Sequence, residues 1–134
     1  MSLRDTIANA PDLKRVTETV PEWGVTLELR QFDLDRRTAL TVASMTADRD
    51  ADDNLTADSL ADWYAQLLIA SAHDPDTGEP VFTESDAAML RSKRGKTVDR
   101  LADIVLDLNG MKAEAVDQGK AGSSTTPTGG TGSD

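Results

Sequence analysis

Residues 20–32 read V-P-E-W-G-V-T-L-E-L-R-Q-F, and the fold turns on this stretch. From Val25 to Arg30 apolar and polar side chains alternate without a break. Val25, Leu27 and Leu29 share one face and Thr26, Glu28 and Arg30 the other, which is the period of a half-buried strand. Upstream, R-V-T-E-T-V from Arg15 to Val20 also alternates and is rich in β-branched residues. Between the runs stands Pro21-Glu22-Trp23-Gly24. Pro21 fixes its own φ and holds Val20 extended, and Gly24 offers a positive φ, so the two runs are expected to pair as an antiparallel hairpin with one apolar face. A lone hairpin is marginal in water, and that face has to lie on something else. Trp23, one of only two tryptophans in the chain, reads first as a lid folded over the apolar face. Its second reading is an exposed anchor for a partner protein, a position in which tryptophan is enriched.

The residues downstream supply helices for the hairpin to cover. Asp33 is placed to cap a helix running to about Ala47, whose apolar stripe of Leu40, Val42, Ala43 and Met45 is broad and shallow. D-R-D-A-D-D-N at 48–54 interrupts it with an acidic loop. Leu55 and Leu60 then flank Thr56 at the spacing of a hydrophobic staple, and Leu60, Trp63, Tyr64, Leu67 and Leu68 form the strongest helical stripe in the chain. H-D-P-D-T-G-E-P at 73–80 is a turn-rich connection leading to the apolar pair Val81-Phe82. T-E-S-D at 83–86 is a capping-box variant opening a helix through Leu90, which Gly95 punctuates. Val98, Leu101, Ile104, Val105, Leu108 and Met111 mark a last amphipathic helix that frays beyond Gly110, with M-K-A-E-A-V-D able to add a turn or two. A short helix at 2–9, capped by Ser2 and closed by Pro11, precedes the hairpin. From Gly119 the chain is a Gly, Ser and Thr tract without a large apolar residue, expected to stay a disordered tail. The expected architecture is α+β and mainly helical. One compact domain over 1–118 packs an N-terminal β-hairpin on a bundle of about four helices, and a flexible tail follows at 119–134.

Composition narrows the chemistry. Fourteen Lys and Arg stand against twenty-four Asp and Glu, a net charge of −10. Nucleic-acid binding needs clustered cations, and the one basic cluster, Arg91, Lys93, Arg94 and Lys96, is read as the coat of a helix end. No direct nucleic-acid partner is expected. With no cysteine there is neither a disulfide framework nor a thiolate metal site. No apolar run is long enough for a signal peptide or a membrane span. The single histidine, His73, stands where a helix gives way to a loop and is read as a helix cap, since no nucleophile is spaced to join it in a triad. EF-hand registers beginning at Asp48, His73 or Asp74 each misplace the glycine, the aspartates or the bidentate glutamate. G-K-T at 95–97 lacks the upstream glycine of a phosphate loop, Leu90 standing in its place. No catalytic residue, metal or cofactor is expected, and surfaces are left to carry the function.

In chain order, S-L-R-D, V-P-E-W-G-V-T-L-E-L-R, W-Y-A-Q-L-L-I-A-S-A, D-P-D-T-G-E-P-V-F-T-E-S-D and V-D-R-L-A-D-I-V-L-D-L-N-G resemble the tail assembly chaperones of long-tailed bacteriophages and related prophages, over about residues 2–110. The resemblance implies a protein that transiently coats the tape-measure protein and recruits tail-tube subunits in the host cytoplasm, and that is absent from the finished virion. It also implies a longer product made by programmed frameshifting, for which the Gly119 and Lys120 codons are candidates. Trp23, Val25, Leu27, Leu29 and Phe32 are the residues expected to touch partners, with self-association a further expectation. The rival expectations are a structural tail or head–tail joining protein kept in the virion and, from another class, an acidic mimic of DNA.

Overall fold

A computed structural model of the chain describes residues 2–111. The tail from Gly119, the Gly119–Lys120 pair and any helical turns after Met111 lie outside the described residues. The elements are α1 (Leu3–Ala8), β1 (Arg15–Val20), β2 (Val25–Arg30), α2 (Leu34–Thr46), α3 (Ala57–Ser71), β3 (Ala72–His73), a 3-10 turn (Glu84–Asp86), α4 (Ala87–Arg91) and α5 (Gly95–Leu108). The architecture is α+β, a small antiparallel sheet covered by helices.

β1 and β2 pair in the register Val20↔Val25 to Arg15↔Arg30, the hairpin that alternation and the Pro21–Gly24 turn predict. Gly24 takes φ +68 to close the turn, where the Trp23 N–H donates to the Val20 carbonyl at 3.0 Å. The sheet has a third strand that no sequence pattern marks. β3 adds to β2 through Glu28↔His73 and Leu29↔Ala72. At two residues it is too short for any periodicity, and it exists because the chain leaving α3 runs alongside β2's free edge.

The helix caps follow their sequence signals. Asp33 accepts the Arg36 N–H at 2.9 Å and Thr56 the Ser59 N–H at 3.2 Å. At the 3-10 turn the Asp86 carboxylate reaches back to the Thr83 N–H at 2.8 Å. Gly95 begins α5 and does not break a longer helix. Past the far end of α5, Gly110 adopts φ +66, its N–H donating to the Asp107 carbonyl at 3.1 Å and the Met111 N–H to the Leu106 carbonyl at 2.8 Å. This is a Schellman stop, with Met111 buried beside it.

The core lies between the sheet and α3, α4 and α5. Val20, Leu29, Leu67, Leu68, Leu90, Leu101 and Val105 are each 1% exposed or less. α3 is the central helix, packed against α5, α4, α2 and β2. α2 sits to one side and buries only Leu40 and Ser44. Val42 and Met45, assigned to its inner stripe by spacing, are exposed. They lie on a flank of the helix that neither α3 nor the sheet reaches. α1 buries nothing. No helix among the described residues is long and apolar enough to cross a membrane.

Candidate functional site

The hairpin turn is fastened to α5 by Glu22. Its Oε2 accepts from Thr97 Oγ1 at 2.8 Å and from the Arg100 guanidinium at 2.9 Å. Hydrogen bonds from its own backbone, from Thr97 and from Arg100 lower the Glu22 carboxyl to about 2 from 4.5. Arg100 also stands 3.8 Å from Glu18, which faces Leu27 across the hairpin and breaks the apolar face of β1. Trp23 is half-buried against the core, with its remaining surface open.

That open surface is one wall of a groove of about 860 Å³. Trp23, Val25, Thr26 and Leu27 line it from the hairpin, Asp74, Pro75 and Asp76 from the turn after β3, and Val81, Phe82, Met89, Leu90 and Lys93 from the opposite side. Val25, Val81 and Met89 are between 40% and 44% exposed, so the lining is apolar and open to solvent at once. Charge is confined to the rim, at Asp74, Asp76 and Lys93. Two sets of local hydrogen bonds shape the groove's walls. In the turn after β3 the Asp74 carboxylate accepts the Asp76 N–H at 2.8 Å, and the Gly78 N–H donates to the Asp74 carbonyl at 2.7 Å with φ +77 at Gly78. Across the groove, Val81 N–H donates to the Ala72 carbonyl at 3.1 Å and ties the Val81–Phe82 pair to β3.

Of the residues expected to touch partners, the structure brings Trp23, Val25 and Leu27 together in this groove. Leu29 and Phe32 are buried in the core, and the Phe32 N–H donates to Asn109 Oδ1 at 2.7 Å. The opposing wall of Val81, Phe82, Met89 and Leu90 is not evident from the sequence. Its one signal was the apolar Val81-Phe82 pair directly after a turn, a place where large side chains need a reason.

A second, smaller hollow of about 390 Å³ lies between α2 and α3, is lined by a mix of polar and apolar groups, and includes the Arg91–Asp58 ion pair at 2.8 Å. His73 Nδ1 lies 2.7 Å from the Ser71 carbonyl oxygen, among the last carbonyls of α3. In the 48–54 loop, Asp50 Oδ1 accepts the Asp52 and Asn54 N–H groups at 2.9 and 3.0 Å, so this acidic stretch is a hydrogen-bonded turn. No group of three or more His, Asp or Glu among the described residues is arranged to hold a metal ion.

No family model matches the chain, and no curated protein matches it. Among solved structures, it matches that of the bacteriophage HK97 tail assembly chaperone with a TM-score of 0.55 and 23% identity, over 78% of this chain and 91% of that one. The likeness is one of three-dimensional arrangement across most of both molecules, and with the geometry above it gives the conclusion that this chain has the fold of a phage tail assembly chaperone.

Proposed function

We propose that this protein is a phage tail assembly chaperone that binds the tape-measure protein transiently and brings tail-tube subunits to it, acting in the host cytoplasm and leaving before the virion is complete. The observation that carries the reading is the open apolar groove walled by Trp23, Val25, Val81, Phe82 and Met89 on a chain of net charge −10. Exposed apolar surface of this kind is a mark of protein contact, and an acidic exterior keeps such a surface soluble between contacts. The fold of the HK97 protein supports the same reading. A tape measure offers many sites along its length, so individually weak contacts suffice to coat it. A longer product, made by a ribosomal frameshift at the Gly119 and Lys120 codons, belongs to the proposal; a codon pair unable to slip removes that part.

Co-expression tests the proposal. The tape-measure protein encoded beside this one is expected to remain soluble with the chain and to aggregate without it. Persistent aggregation, with no tail protein recovered on the chain, contradicts the proposal.

A further inference from the structure

Arg30 ends β2 with both backbone polar groups turned away from β1: its N–H donates to Ser71 Oγ at 3.0 Å, and its carbonyl accepts from the same hydroxyl at 2.8 Å. The next residue turns back, the Gln31 N–H donating to the Lys14 carbonyl at 2.8 Å. In a strand the N–H and C=O of alternate residues point the same way. Thr26, four residues before Arg30, therefore also directs both groups away from β1. There, among the described residues, they meet no strand. β3 covers β2 only at Glu28 and Leu29. Asp74 turns its N–H to the Glu79 carbonyl at 2.8 Å, and Pro75 has no N–H to give. The chain thus bends away at the point where a longer β3 would have faced Thr26, and Thr26 itself lines the apolar groove.

We infer that the groove takes its partner as a short extended segment laid beside β2, which completes the sheet at Thr26 and sets alternate apolar side chains against Trp23 and Phe82. The inference rests on the chaperone reading of the groove and specifies how it recognises a partner. A helix satisfies its own backbone and cannot use the Thr26 groups; an extended segment can, by strand addition. Natural sheets cover or blunt an exposed edge, and here the edge is left open inside an apolar trough. Asp74 and Asp76 outnumber Lys93 on the rim, and with the net charge of −10 they select a segment with Lys or Arg beside its apolar residues.

Twelve-residue peptides tiling the tape-measure protein are the probe, and hydrogen exchange of the Thr26 amide in the intact chain is the readout. A captured peptide is expected to slow that exchange on the order of 100-fold, and N-methylation of one of its backbone nitrogens to weaken capture about tenfold. A captured peptide that leaves Thr26 exchange unchanged, or one whose singly N-methylated forms all bind as the parent does, overturns the inference. A chain that keeps the whole tape measure soluble but captures none of its peptides overturns it too, and leaves the chaperone reading standing. A chain that does neither sinks both.

Discussion

Glu22 projects from the hairpin turn onto α5, and its ties to Thr97 and Arg100 give the turn a pH-sensitive fastening. Its carboxyl is lowered in the folded chain, so it contributes stability above its ordinary value of 4.5 and loses that contribution as the pH falls toward about 2. Thermal melts of the wild type are expected to decline across that window, and Glu22→Gln to flatten the decline; identical slopes in the two proteins would remove Glu22 from the account. Asn109 and Ser71 are buried polar groups with definite work. Asn109 accepts the Phe32 N–H and donates Nδ2 to the Val105 carbonyl at 2.9 Å. Ser71 serves both backbone groups of Arg30. Asn109→Leu strands a buried backbone group and Ser71→Ala a part-buried one, and each should destabilise the fold by about 1–3 kcal/mol in denaturant titrations. None of this was legible beforehand. Trp23 stands out because aromatics are scarce here, whereas Glu22, Ser71 and Asn109 are of common residue types, and their partners are 75, 41 and 77 residues away in sequence.

Elements with a strong period or a definite cap were readable. β2 alternates, α3 carries a staple and a wide stripe, and α5 keeps Val98, Leu101 and Val105 on one face; all three form where their patterns place them. Two elements show what pattern omits. β3 is only an edge addition, specified by the proximity of α3's end to β2 and by no periodicity of its own. α2 follows its cap signal, but its burial does not follow its stripe: Leu40 and Ser44 face inward while Leu34, Val42 and Met45 remain exposed. Which flank of a weakly amphipathic helix is covered depends on neighbours that local sequence does not name. Core truncation follows the same geography. Leu67→Ala or Leu101→Ala, at fully buried sites on α3 and α5, should cost about 2–5 kcal/mol. Met45→Ala, on α2's exposed flank, should lie within about 0.5 kcal/mol of wild type. A Met45→Ala loss equal to the core values would mean that this flank is covered after all.

The molecule joins a lean core, a net charge of −10 and an apolar trough, and half of that trough is visible in the sequence. The hairpin wall could be named from V-P-E-W-G-V-T-L because it is continuous in the chain; the facing wall comes from segments some sixty residues later and is brought there by the fold. Release before the virion is complete makes a separate forecast, against the rival in which this protein stays in the particle. Mass spectrometry of purified virions should find it absent or far below the tail-tube subunit, and a stoichiometric signal would favour the structural role. The most direct measurement of the central claim, that the trough holds tail proteins temporarily, is the soluble yield of the tape-measure protein co-expressed with wild type or with Trp23→Ala, a truncation of the kind that commonly weakens binding more than tenfold at an interface centre. The account predicts soluble tape measure with wild type and its loss with a folded Trp23→Ala chain. Equal yields from the two would contradict it.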